Sequence, residues 1–276
     1  MTPAYDELRR LWTQLHHLEH LQAITAWDQA AMMPAHGAPA RAAAMAEMQG
    51  LMHRLRTDPK LDGLLQRARA EAIDALAHAN VGEMQREWRA ANALPVALVE
   101  ALSLAGSRCE HAWRTQRPAN DWAGFLVNFR PVLTLAREMS QRLADATGLA
   151  PYDALMDQFE PGMTSAEVDR LFGDLQQWLP GLVRQARERQ SHEAVIEPVG
   201  PFPKAAQRAL SLDVMALLGF DFDGGRLDES THPFTGGVPE DTRLTTRYRE
   251  DDLMQSLMGT IHETGHARYE QNLPRD

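Results

Sequence analysis

Cysteine is nearly missing from this sequence: the 276 residues hold one, Cys109, so no disulfide can form within the chain and a reducing compartment is consistent. With no activating partner evident beside it, that thiol reads as a small packed residue rather than a nucleophile. Basic residues are also short. Lys and Arg total 28 against 38 Asp and Glu, a formal charge of −10, which argues against a nucleic-acid partner because phosphate binding draws on basic patches. No apolar run approaches the roughly 20 residues that a membrane span needs, and the opening MTPAYDELRRLWTQLHHLEH lacks the basic head and apolar middle of a secretory signal. A cytoplasmic address with no membrane partner is the expectation.

What is present is a long helical pattern. Residues 5–193 are rich in Ala, Leu, Gln, Glu and Arg, with punctuation at Pro34, Gly37, Pro59, Pro95, Pro118, Gly148, Pro161 and Gly162. Leu8, Leu11, Leu15, Leu18 and Leu21 recur every three or four residues, as a buried helix face requires. Trp27 and Asp28 read as a buried helix end with a capping carboxylate, and Thr164 or Ser165 as the cap of a later helix. His16, Glu19 and His20 have ligand-like spacing, but without a third ligand or a base they read as a polar face opposite the leucines. After a Pro-rich break near 194–203 one more helix runs to about Leu218. Low helix propensity follows, and the stretch from Arg243 to Tyr248 alternates as a strand just ahead of the last helix.

That last helix carries the chemistry. Glu250, Asp251 and Asp252 suit its N-terminus, Met254, Leu257, Met258 and Ile261 form an i, i+3, i+4, i+7 apolar stripe, and it should run to about Asn272. Within it, His262, Glu263, Thr264, Gly265 and His266 make the H-E-x-x-H pattern. Four residues of helix rise about 6 Å, so both imidazoles leave one face at a separation that a tetrahedral ion bridges. Glu263 is rotated off that direction and is placed to deprotonate a metal-activated water, the division of labour that zinc peptidases use. A strand beside such a helix can also hold an extended peptide through backbone hydrogen bonds.

Several separated stretches, in order, carry a resemblance over essentially the whole chain: AITAWDQAAMMP, YDALMDQFEPGMT, ALLGFDFDGGRLDESTHPFTGG, DTRLTTRY and GTIHETGHARYEQNLP. Together they resemble the carboxypeptidase Taq family of zinc metallocarboxypeptidases. The resemblance implies a mainly α, long-helix zincin-like fold with a small β-sheet beside the metal helix, in a single domain whose residues 1–193 wall a groove and whose residues 194–276 hold the sheet and metal helix. It implies release of single C-terminal residues from peptides with broad specificity, and commonly a homodimer. Carried over, His262 and His266 look like zinc ligands, with cobalt an acceptable substitute, and Glu263 like the base. His232, Asp241, Arg243 and Thr245 look like structural or substrate-side residues of the groove.

The family's third ligand is a glutamate well beyond the second histidine, so the expectation is an N-terminal portion, truncated at the C-terminus, with two ligands and a base. Glu270 cannot serve as that ligand without unwinding the helix, since it lies a further turn along the axis. The alternative reading is a catalytically incomplete homologue acting as a helical binding or dimerisation module.

Overall fold

The structure is a computed structural model, and it describes residues 3–71, 74–196 and 198–274. Helices dominate: α1 Pro3–Ala31, α2 Ala38–Arg56, α3 Lys60–Glu71, α4 Ala75–Ala93, α5 Val96–Gln116, α6 Trp122–Thr147, α7 Pro151–Met156, α8 Ser165–Gln190 and α9 Lys204–Leu217. Three short strands follow, β1 Gly225–Glu229, β2 Thr235–Val238 and β3 Asp241–Thr246, and then α10 Leu253–Gln271. Local chemistry sets the boundaries. Asp74, Asp121 and Thr164 cap α4, α6 and α8 by accepting from the backbone N–H three residues on. Gly148, at φ 77°, ends α6 in the left-handed conformation that glycine adopts without strain. Pro95 separates α4 from α5, which are set at 86° to one another. Among the described residues no single helix is long and apolar enough to cross a membrane.

The chain divides into two compact units, Met1–Thr13 with Gln49–Ala194, and Gln14–Met48 with Val195–Asp276. In the first, Leu8, Leu61, Leu64, Leu65, Ala68, Val81 and Met84 form a core flanked by Trp12 and Trp88. Each large aliphatic side chain buried there contributes about 1.5–3 kcal/mol relative to exposure. The leucine stripe of α1 is only partly used: Leu8 and Leu15 are buried, whereas Leu21 is exposed. Helix α8 has no buried residue, and Phe172, Trp178 and Leu182 along its apolar stripe face outward.

In the second unit β3 is the middle strand, parallel to β1 and antiparallel to β2. Met215, Phe220, Leu227, Leu244 and Ala267 pack beneath it. The small sheet that the resemblance implies is present, and two readings made from local pattern alone are corrected. Where sequence periodicity shows one strand, there are three, because β1 and β2 are short and rich in Gly and Asp, and tertiary pairing overrides their weak propensity. The second correction concerns α10. Met254 and Met258 of its apolar stripe are exposed, and the buried face is instead Ser256, Thr260, Glu263, Thr264, Ala267 and Gln271. Hydrogen bonding makes that polar face a viable interior. Ser256 Oγ donates to Gln207 Oε1 at 2.6 Å, and Thr260 Oγ1 lies 3.2 Å from Ser211 Oγ and 3.3 Å from Thr246 Oγ1.

Strand β2 runs close enough to β3 to exclude a side chain at Gly237, whose φ is 132° and where a Cβ would lie 2.1 Å from the Asp241 carbonyl oxygen. Gly237→Ala should therefore destabilise the chain by about 1–3 kcal/mol or more. Gly82→Ala, in open space on the exposed side of α4, should stabilise it by about 0.5–1 kcal/mol. Urea unfolding midpoints read both, and equal shifts of one sign would contradict this account of the strand pair.

Candidate metal centre

Asp252 caps α10 by accepting from Gln255 N–H at 3.0 Å, and the helix then runs unbroken past both histidines. His262 and His266 stand on its exposed side, one turn apart. Their rings meet edge to face at 80°, with centroids 4.8 Å apart and the two Nε2 atoms separated by 3.2 Å. That separation is within hydrogen-bonding distance. It is also the bite of a metal site: a 3.2 Å separation subtends about 100–105° at an ion bonded to both nitrogens at about 2.0–2.1 Å, close to tetrahedral. The two imidazoles therefore fit a zinc-like ion.

Glu263, next to the first histidine, turns the other way. It is 7% exposed, packed between α10 and the sheet, and its Oε2 accepts a hydrogen bond from Thr235 Oγ1 at 2.7 Å. The same hydroxyl lies 3.0 Å from the Glu263 carbonyl oxygen. The family model described as carboxypeptidase Taq (M32) metallopeptidase matches residues 7–276. The chain belongs to that family. It is 37% identical to thermostable carboxypeptidase 1 of Thermus thermophilus over 290 aligned residues, which cover 100% of this chain and 57% of that protein. Carboxypeptidase 1 of Bacillus subtilis is 33% identical, with 98% and 53% covered. The solved metallocarboxypeptidase 1 of Trypanosoma cruzi superposes with a TM-score of 0.87 at 44% identity, over 99% of this chain and 55% of that one. The chain thus spans about half the length of the relatives it matches.

The other residues that the resemblance singles out lie in and beside the sheet. Thr245 is fully buried; its Oγ1 accepts from Phe234 N–H at 3.2 Å and lies 2.7 Å from Ser230 Oγ, so it pins the turn that carries His232. His232 itself is exposed, and its carbonyl oxygen accepts from Ser230 Oγ. Asp241 and Arg243 form a two-pronged pair at 2.8 and 2.9 Å, and the Arg243 guanidinium stacks over Trp27 at 4.3 Å from the ring centre. Arg226, directly across the strand pair from Arg243, approaches the same indole at 5.2 Å. Trp27 is thus buried as expected, but Asp28 is not a free cap: its carboxylate accepts from Arg41. His20, read from sequence as part of a polar face, has Nε2 3.9 Å from Asp241 Oδ2. Thr235 escapes sequence reasoning altogether. Its only sequence signal is that it follows His232, Pro233 and Phe234 directly, and nothing in that spacing aims its hydroxyl at a helix residue 28 positions later. Among the described residues, no group of three or more His, Cys, Asp or Glu side chains is placed to hold a metal ion.

The hydrogen bonds from Arg243 hold the Asp241 carboxyl below its ordinary pKa, against the opposing effect of partial burial, and the nearby Arg243, His20 and Arg226 charges add to the depression. A carboxyl depressed in the folded state stabilises fully at pH values above its unfolded value and loses that contribution as pH falls through the folded one. The difference in thermal stability between the natural chain and Asp241→Asn should therefore be largest near neutrality and shrink below about pH 4, where an unperturbed Asp titrates. A gap constant from pH 7 to pH 3 would show that the pair contributes nothing.

Proposed function

We propose that this chain supplies the imidazole pair and the general base of a zinc-dependent carboxypeptidase that removes single residues from peptide C-termini with broad specificity. The observation that carries the reading is the convergence of the His262 and His266 Nε2 atoms at 3.2 Å, beside a glutamate held by its own hydrogen bond. His262 and His266 would hold the ion, zinc or in its place cobalt, with a third donor from outside the described residues. The ion would supply Lewis acidity toward the peptide carbonyl and ease deprotonation of water. Glu263 takes the proton of the attacking water as oxygen bonds to the carbonyl carbon, and returns it to the amine nitrogen as the C–N bond breaks.

Peptide alignment falls to β2. The expected peptide-pairing strand, β3, is the middle one and has both edges occupied. Thr245 N–H donates to the Phe234 carbonyl, so the alternation of an antiparallel pair turns the backbone groups of Thr235 and Gly237 outward, where an extended peptide can add as a further strand. The chain's partners in this reading are peptides and a second copy of itself, in the cytoplasm. A second reading, a catalytically silent module that binds through its helices, draws on the outward apolar stripe of α8.

The test is peptide cleavage with added zinc or cobalt, followed by mass spectrometry, by the purified chain joined to the remaining half of a family member, which supplies the third donor. Loss of single C-terminal residues, reduced at least about 100-fold in Glu263→Gln, is the expected outcome. Absence of cleavage by that hybrid at saturating metal would favour the module. Metal retention gives an independent check: a site with two protein donors should lose its ion on dialysis against a chelator, and zinc retained at one equivalent per chain would reveal a third donor already present.

A further inference from the structure

We infer that Thr235 is the positioning residue for the Glu263 carboxylate, tying down Oε2 and leaving Oε1 as the oxygen that handles the proton. This rests on the reading of Glu263 as the base. Thr235 Oγ1 has a single proton, directed at Oε2 at 2.7 Å with the Glu263 carbonyl oxygen as a second acceptor at 3.0 Å. No side-chain donor is found on Oε1 among the described residues, and that oxygen is not enclosed. A carboxylate on a flexible side chain samples several rotamers, and a charge-assisted bond to one oxygen selects among them.

The donor is itself held in place. Thr235 pairs with Leu244, and the residue before it is locked on both sides: Phe234 N–H donates to Thr245 Oγ1, and Thr245 N–H donates to the Phe234 carbonyl. Strand register, not side-chain freedom, therefore fixes where the Glu263 carboxylate points. The buried Thr245 of the D-x-R-x-T run acts on the base through this relay, two hydrogen bonds removed.

Two variants test the assignment, Thr235→Val, which keeps the shape without the hydroxyl, and Thr235→Ser, which keeps the hydroxyl. The first readout needs no turnover. In metal-free chain labelled at the glutamate carboxyl carbon, the resonance absent from Glu263→Gln belongs to Glu263. It should move in Thr235→Val and stay close to its natural position in Thr235→Ser. An unmoved resonance in the valine variant overturns the inference, as does an equal displacement in both variants. The second readout is turnover of the metal-loaded chain joined to the remaining half of a family member, which supplies the third donor. Thr235→Val should lower kcat about tenfold with KM within about twofold, and serine should restore most of kcat. A displaced resonance with kcat unaffected would also overturn the positioning role. If the hybrid that carries the third donor shows no turnover, the carboxypeptidase reading fails, and the resonance still decides whether Thr235 orients Glu263.

Discussion

The candidate metal centre depends on a seam of hydroxyl and amide side chains between α10 and its neighbours. Gln207 donates to the Phe202 and Arg249 carbonyls at 2.7 and 2.8 Å and accepts from Ser256, while Thr260 bridges toward Ser211 on one side and Thr246 on the other. Buried polar groups of this kind are costly unless satisfied and directional once they are. An apolar interface tolerates sliding; a hydrogen-bonded one has a single register. Helix α10 is thereby fixed in rotation, which decides that its histidines face outward and its glutamate faces the sheet.

The sheet acts as a frame around that helix. Its middle strand supplies Thr246 and Thr242 to the interior and Thr245 to the turn carrying His232, while its edge strand supplies the hydroxyl on Glu263. On the other side of the strand pair, Trp27 lies under two guanidinium groups, each paired with an aspartate in its own strand. Those aspartates limit the net charge at the indole and orient the planar groups for stacking. The D-x-R-x-T run places Asp241, Arg243 and Thr245 at alternate positions of β3, on one face: Asp241 and Arg243 meet Trp27 of α1, and Thr245, nearer the strand's end, reaches the turn.

Much of this was legible in the residues themselves. The helical punctuation, the acidic start and span of α10 and the i, i+4 placement of His262 and His266 follow from local chemistry, since propensity, dipole and helical pitch act within a few residues. The family followed from motifs spread along the whole chain. Misreading arose where local rules compete with packing. Met254 and Met258 form the more apolar stripe, yet hydroxyls occupy the interior, because partners distant in sequence satisfy them.

By itself, then, the sequence determined the mainly helical class, the family and the one-turn spacing of His262 and His266, all of which are written in residue type and short-range spacing. Only the tertiary structure decided the order of the strands, the buried side of α10, the His20 and Asp241 approach and the Thr235 bond to Glu263. Each of these joins residues far apart in the chain, and hydrogen-bond direction across such separations is set by register and packing, which periodicity does not encode.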